Sequence, residues 1–96
     1  MSEPATIGVA KNTSLADLNT IVAENEDSLG PLTAIGNDSN QTLLTFDTDA
    51  ASPANHAVIA ADSGGAPDVP AGSSKICSGA VFLGGALTSA TASRSN

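Results

Sequence analysis

Residues able to perform acid–base or nucleophilic chemistry are scarce in this chain. Among its 96 residues there is one histidine, His56, and one cysteine, Cys77. A Ser-His-Asp or Cys-His arrangement would have to use His56 as its base, and no Gly-x-Ser-x-Gly segment marks a nucleophile. We therefore expect His56 to be a surface or capping residue at the edge of a strand, and we expect a protein that is not an enzyme.

Cys77 follows Lys75 and Ile76 in a segment that is typical of a short strand. A single cysteine forms no intramolecular disulfide, and free cysteines in proteins are usually buried as small apolar side chains. We predict this role for Cys77, with a reactive thiol assisted by Lys75 as the alternative. A free thiol also indicates synthesis in a reducing cytoplasm.

Metal-ligating residues are equally sparse. Asp47 and Asp49 begin like a calcium-binding loop, but Ala51 and Ser52 occupy its fifth and sixth positions, where the motif needs a ligand and a glycine. One histidine and one cysteine do not supply the four ligands of a structural zinc site. We expect no metal and no cofactor, with weak calcium binding by Asp47 and Asp49 as the alternative to a solvated turn.

The charge balance argues against nucleic acid and membranes as partners. Ten acidic residues oppose Lys11, Lys75 and Arg94, which gives a formal net charge of −7. Phosphate backbones and anionic lipid surfaces are bound mainly through clustered Lys and Arg, and both would repel this chain. No apolar run approaches the length that spans a bilayer, and the first residues lack the basic and apolar pattern of a secretory signal.

Residues 1–29 are predicted to form an N-terminal arm that contains a possible short helix. Ile7 and Val9 alternate with small residues, which is typical of an extended segment. Ser14, followed three residues later by an acidic residue, predicts a helix start. The helix would cover residues 14–26, and its apolar stripe consists of Leu15, Leu18, Ile21 and Val22.

Residues 30–88 are predicted to form a compact β-rich domain, followed by a flexible tail over residues 89–96. Turn-forming residues separate the apolar runs, as in a chain of short antiparallel strands. The tail has no large apolar side chain to bury. The predicted strands are 32–35 paired with 42–46, then 56–61, and then 75–77 and 80–83 as a strand pair or as one bent strand.

The apolar content points to a chain that shares its core with other subunits. Hydrophobic residues make up 41% of the sequence, but 17 of them are alanine, and there is no Trp or Tyr. A small domain with few large apolar side chains is short of buried area, so we expect it to bury surface against copies of itself or a larger partner. A surface of Ala, Ser, Thr and Gly loses little side-chain entropy when it packs against protein.

Four segments in order give the chain a family resemblance. They are Gly-Pro-Leu-Thr at 30–33, Leu-Leu-Thr-Phe-Asp at 43–47, Ala-Val-Ile-Ala-Ala-Asp at 57–62, and Ser-Gly-Ala-Val-Phe-Leu-Gly-Gly-Ala-Leu-Thr at 78–88. This series resembles the lambda-type phage head decoration proteins. Phe46 stands where that family often has Trp, and Thr88 stands where its last segment ends on an aromatic residue.

The resemblance implies a mainly β fold, a small β-tulip-like or β-sandwich-like unit with an extended N-terminal arm and at most one or two short helices. It implies a homotrimer that binds the major capsid protein on the outer surface of the virion and stabilises the expanded head without catalysis. The arm would contact the capsid, and we expect that contact at Ile7 and Val9, with Leu15 and Leu18 as further contact residues. The alternatives are another virion structural protein, such as a head fibre or tail component, or a small acidic protein-binding module that uses the loop 47–55.

Overall fold

Strands dominate the fold, as the sequence predicts. The structure is a computed structural model that describes residues 3–96, so residues 1 and 2 of the predicted arm lie outside the described residues. Within 3–96 the chain is mainly β with one helix, which confirms the predicted fold class. The elements are β1 Ala5–Ala10, α1 Leu15–Ser28, β2 Leu32–Asn37, β3 Gln41–Phe46, β4 Val58–Ala61, β5 Ser73–Leu83 and β6 Ala86–Ser95.

Helix α1 begins and ends where its local sequence directs it. The Ser14 hydroxyl accepts a hydrogen bond from the Asp17 backbone N–H at 3.2 Å, so Ser14 is the predicted N-cap. After Ser28 the chain turns at Gly30, whose φ of 128° is unfavourable for any residue with a side chain. A Cβ atom there would also overlap the Asp47 carbonyl oxygen. Gly30 therefore lets the chain leave the helix under the loop that follows β3.

Sheet one contains three antiparallel strands in the order β1-β3-β2. The predicted hairpin is present, with β2 and β3 joined by a turn in which Asp38 accepts hydrogen bonds from the backbone N–H groups of Asn40 at 2.8 Å and Gln41 at 3.0 Å. The Asn40 N–H, then the Gln41 side-chain amide at 3.0 Å, and then the Gln41 N–H hold the pKa of Asp38 below its ordinary value. Strand β1, the predicted arm segment, pairs with β3 along its whole length.

Sheet two contains three antiparallel strands in the order β4-β6-β5. Residues 75–83 belong to one long strand, as in the single-strand alternative, but the register of β5 shifts between Lys75 and Cys77 and not at Gly79, where a break was expected. A two-residue turn, Gly84-Gly85, joins β5 to β6, and both glycines have positive φ as a tight hairpin requires. The predicted strand at 56–61 is β4.

The prediction of a flexible C-terminal tail over residues 89–96 is wrong. Residues 86–95 form β6, the central strand of sheet two, and Ala90 and Ala92 are buried. The prediction looked for large apolar side chains, whereas a strand between two neighbours is held by hydrogen bonds on both of its edges. Small side chains suit residues 90–93, because all four are buried and both faces of β6 are covered there.

The core lies between the two sheets and under α1. Strand β2 packs against β5, and α1 packs against β4 and β3. The approach of the sheets is close at Gly79, where a Cβ atom would come within 2.8 Å of the Ile35 carbonyl oxygen. The buried apolar residues are Val9, Leu18, Val22, Leu32, Ile35, Leu44, Phe46, Ala57, Ile59, Val81, Ala90 and Ala92.

Candidate interaction surface

His56 connects a loop to the end of α1. Its Nε2 atom lies 2.8 Å from Oδ1 of Asp27, and both side chains are partly exposed. The Ser52 hydroxyl donates to the Asp27 carbonyl oxygen at 3.1 Å in the same place. These contacts hold the loop that precedes β4 against the helix, in agreement with a surface or capping role for His56.

Cys77 lies half-buried on β5. Burial raises the pKa of its thiol, and a hydrogen bond from the Ile35 backbone with the charge of Lys75 offsets only part of that effect. A raised pKa lowers the thiolate fraction at neutral pH, which disfavours the reactive-thiol alternative.

Asp47 and Asp49 lie in one turn and are joined by a hydrogen bond. Oδ1 of Asp47 accepts a hydrogen bond from the Asp49 backbone N–H at 2.9 Å. In residues 3–96, no three His, Cys, Asp or Glu side chains come together in a group that could hold a metal ion, and the same range has no pocket. Over this range, too, no helix has the length and apolar character that crossing a membrane requires.

The structure corrects two of the four predicted capsid-contact residues. Val9 is 6% exposed and Leu18 is fully buried, so both belong to the core and neither offers its side chain to a partner. Ile7 and Leu15 are half-buried and pack against the same core. The reason is that β1 is a sheet strand and the stripe of α1 faces the protein's own strands.

Glu26 is a buried carboxylate near the end of α1, and three groups bind it through four hydrogen bonds. Oε2 accepts from the Leu32 backbone N–H at 2.8 Å, and Oε1 accepts from the Ala57 backbone N–H at 2.8 Å. The Arg94 guanidinium donates to both oxygens, at 2.8 Å to Oε2 and 3.3 Å to Oε1. Arg94 also donates to the Asn55 carbonyl oxygen. One side chain of the helix therefore connects the starts of β2 and β4 with the end of β6.

The pKa of Glu26 reflects two opposing effects. Burial raises the pKa of this carboxyl, but the Arg94 hydrogen bonds and the N–H groups of Leu32 and Ala57 together outweigh it, and the pKa lies below its ordinary value of 4.5. Glu26 is thus ionised at neutral pH and paired with a cation. A buried carboxylate without such partners would destabilise the folded protein by several kcal/mol. Loss of any one of the three binding groups therefore weakens the whole arrangement.

Asn19 binds the outer edge of β4, the edge that faces away from β6. Its Oδ1 accepts from the Ile59 N–H at 2.7 Å, and its Nδ2 donates to the Ile59 carbonyl oxygen at 3.0 Å. The Asn19 side-chain amide makes the two hydrogen bonds that a residue of a neighbouring strand would make, because it offers both a donor and an acceptor. Together with the Glu26 bond to Ala57, it occupies three backbone groups at the start of β4: the Ala57 N–H and the N–H and C=O of Ile59.

Sequence reasoning missed Asn19, Glu26 and Arg94. The available signal was the continuation of the α1 stripe, since Asn19 lies four residues after Leu15 and Glu26 lies four after Val22, on the face that packs inward. A polar side chain on such a face has to find buried partners. The identity of those partners depends on the tertiary fold.

The outer edge of β5 is also bound by a side chain. The hydroxyl of Thr42, a buried residue on β3, accepts from the Phe82 N–H at 3.0 Å and donates to the Phe82 carbonyl oxygen at 3.3 Å. Sheet two therefore has side-chain hydrogen bonds on both of its outer edges.

The outer edge of β1, by contrast, is open. The Gln41 carbonyl and the Asp47 N–H bind the β2 side, so by alternation Thr42, Leu44 and Phe46 face β1. Their register partners on β1 are Val9, Ile7 and Ala5. The remaining positions of β1 therefore direct their backbone groups away from the sheet: Thr6, Gly8 and Ala10. Within residues 3–96, nothing hydrogen-bonds to the backbone of Thr6 or Gly8 on this side.

The outer face of sheet two, opposite the core, carries small and apolar side chains. Val58 and Leu87 are the two exposed large hydrophobic residues of the described chain, at 49% and 55%. Leu87 lies opposite Phe82 in the β5–β6 hairpin, and the register places Ala60 and Ala80 on the same face as Val58 and Leu87. We use the name outer face for these five residues and Ser89 of β6, since Thr91 and Ser93 on the same side of the strand are buried.

Asp62 attaches the loop after β4 to this outer face. Its carboxylate accepts hydrogen bonds from the hydroxyls of Thr91 at 2.7 Å and Ser89 at 2.8 Å. These two bonds, Thr91 first, hold the pKa of Asp62 below its ordinary value. The long connection from β4 to β5 is thereby fixed at its start.

Comparison with protein-family models, curated proteins and solved structures finds no match for this chain.

Proposed function

We propose that this protein is a non-enzymatic capsid decoration protein, which binds the outer surface of a phage head as trimers and stabilises the expanded capsid. The proposal rests on the resemblance of residues 30–88 to the lambda-type head decoration proteins. The observation that carries it is the outer face of sheet two, where Val58 and Leu87 are exposed among small side chains.

Such a face is suited to binding a broad protein surface. Exposed apolar side chains gain free energy when they leave water, and the Ala and Ser residues of the outer face lose little rotamer entropy on contact. Residues 3–96 contain no pocket, and a face without a pocket fits a protein surface better than a small ligand. The partner of this face is the major capsid protein.

Stabilisation would arise by repetition. Each copy adds a small buried area between neighbouring capsid subunits, and the symmetry of the head repeats that contact many times. Several weak contacts made by one trimer act together, so the trimer binds more tightly than one chain. The function needs no bond-making step.

The test is co-sedimentation with expanded heads assembled from the major capsid protein encoded with this chain. We expect saturation near one copy for each capsid subunit. Leu87→Asp places a charge in the contact and should weaken binding roughly tenfold or more. Ala51→Asp adds the same charge at an exposed loop position away from the outer face and should bind like the wild type.

Other outcomes would contradict the proposal in distinguishable ways. A few copies for each particle would indicate a head fibre or tail component. No association would leave a small acidic binding module with a soluble target. Equal binding by Leu87→Asp and the wild type would remove the outer face as the contact. Deleting the arm is a poor test, because it also removes Val9 from the core.

A further inference from the structure

The open edge of β1 is complementary to the same edge of a second copy of the chain. We propose that β1 is a two-fold interface at which β1 of one chain pairs antiparallel with β1 of a second copy, Thr6 opposite Gly8. This contact between copies goes beyond the proposed function, since it requires no capsid. It uses a different surface from the outer face of sheet two.

The backbone groups fit this register. Thr6 and Gly8 direct their N–H and C=O groups outward, as derived above from the register of β1 and β3. In an antiparallel pair, two residues of this kind that lie opposite each other exchange both hydrogen bonds. Thr6 of each chain would do so with Gly8 of the other.

The neighbouring positions select the same register. Pro4 has no N–H, and in this pairing it lies opposite Ala10 of the second copy. The Ala10 carbonyl needs no further donor, because it already accepts from the Thr13 N–H at 3.1 Å. A shift by two residues in either direction would place the missing donor or the occupied acceptor opposite Thr6 or Gly8 and leave one of their groups unpaired.

Charge supports the same arrangement. Glu3 and Lys11 lie on either side of β1, and both are exposed. In the proposed register, Glu3 of each chain lies opposite Lys11 of the other, so the interface contains two such pairs by symmetry. Lys11 is one of only three cationic residues in a chain of net charge −7. Its position next to this edge reduces the repulsion between two acidic copies.

The side chains also allow the approach. Thr6, Gly8 and Ala10 are small and exposed. The Gln41 side chain lies over Gly8 on the face of the sheet, where a Cβ atom would otherwise be. Ile7 would lie on the two-fold axis opposite Ile7 of the second copy, in a pair whose side chains come close. Ile7 is only half-buried in the single chain, and the pairing would cover more of its surface.

The first test is sedimentation equilibrium of the pure protein over a range of concentrations, without capsids. The wild type should show a concentration-dependent dimer. Thr6→Pro removes an outward N–H and leaves the pairing with β3 intact, and it should weaken dimerisation roughly tenfold or more. Thr6→Val is the matched control, because it also loses the Thr6–Thr45 hydroxyl contact but keeps the N–H. It should dimerise like the wild type.

The second test exchanges the charges at low ionic strength, where they are least screened. Glu3→Lys and Lys11→Glu should each weaken self-association several-fold. An equimolar mixture of the two variants should dimerise again, because the lysine introduced in one variant then faces the glutamate introduced in the other. The double variant, Glu3→Lys with Lys11→Glu, should recover as well.

Three results would overturn the proposal. The first is a wild type that stays monomeric at every concentration. If Thr6→Pro also lost capsid binding in that case, the β1 edge would be a contact with the capsid. The second is a dimer or trimer whose mass Thr6→Pro leaves unchanged. The third is a mixture of charge variants that associates no better than each variant alone. Capsid co-sedimentation is measured separately, so failure of the two proposals can be distinguished.

Discussion

The outer edges of β4 and β1 differ, although both belong to the same small fold. At β4, Asn19 of α1 binds the N–H and C=O of Ile59, and Glu26 of α1 binds the N–H of Ala57. At β1, the outward groups of Thr6 and Gly8 have no partner within residues 3–96. A free strand edge is a template for pairing with another chain. The difference shows that side chains of this protein close one edge and leave the other available for association.

The comparison also shows how a chain with few large apolar residues holds its helix. Glu26 and Asn19 replace apolar contacts with hydrogen bonds to strand edges, and both require accurate geometry. Such contacts are costly to break because they leave buried groups unpaired. The stability of the β4 side should therefore depend on a few polar atoms, whereas the β1 edge should tolerate substitution.

The largest expected effect comes from Glu26→Ala. It leaves Arg94 and the N–H groups of Leu32 and Ala57 without their acceptor, so we expect a loss of about 3–5 kcal/mol in the free energy of unfolding. Urea denaturation followed by circular dichroism measures it. Glu24→Ala, on the exposed side of the same helix, should change stability by less than about 0.5 kcal/mol. A similar small change for Glu26→Ala would show that the buried ion pair does not hold the strands.

Asn19→Ala should have the next largest effect. It opens the outer edge of β4 at Ile59, and we expect a loss of about 2 kcal/mol together with new self-association through β4. Thr20→Ala on the neighbouring exposed position is the control, and it should remain close to the wild type in both respects. Denaturation and sedimentation of the two variants, side by side, test the prediction. An Asn19→Ala protein that matches Thr20→Ala would contradict the closed-edge account.

Thr42→Val should cost less, about 1 kcal/mol, because it removes one hydroxyl from the edge of β5 and leaves the Phe82 N–H unpaired. Thr45→Val is the same substitution on the same strand, but its hydroxyl contact with Thr6 is exposed. We expect almost no change there. Thermal unfolding of both variants provides the measurement, and equal melting temperatures would argue against a role for Thr42 at this edge.

The smallest predicted effect is a dependence of the free energy of unfolding on pH in the acid range. The pKa of Glu26 is lowered in the folded protein, so its ionised form stabilises the fold above the ordinary pKa of 4.5, and this contribution is lost as the pH falls below 4.5 through the folded pKa. The difference in unfolding free energy between wild type and Glu26→Ala should narrow over that range. Denaturation at several pH values from neutral to acid measures it, and a difference independent of pH would contradict an ionised Glu26.

The sequence allowed prediction of the elements whose signals are local. The hairpin at 32–46 follows from its turn residues, and α1 follows from Ser14 and the stripe after it. The tail prediction failed because the burial of Ala90 and Ala92 depends on β4 and β5, which are distant in sequence. The prediction of Val9 and Leu18 as capsid contacts also failed because the strands that bury them are distant in sequence. Periodicity shows that a face is apolar, but it does not show which protein covers it.

Hydrogen exchange of single backbone amides tests the contrast between the two edges most directly. At low protein concentration, the amides of Ala57 and Ile59 should exchange slowly because Glu26 and Asn19 bind them, and those of Thr6 and Gly8 should exchange fast. Raising the concentration should slow Thr6 and Gly8 and leave Ala57 and Ile59 unchanged. Slow exchange at Thr6 and Gly8 at every concentration, or fast exchange at Ala57 and Ile59, would contradict the account.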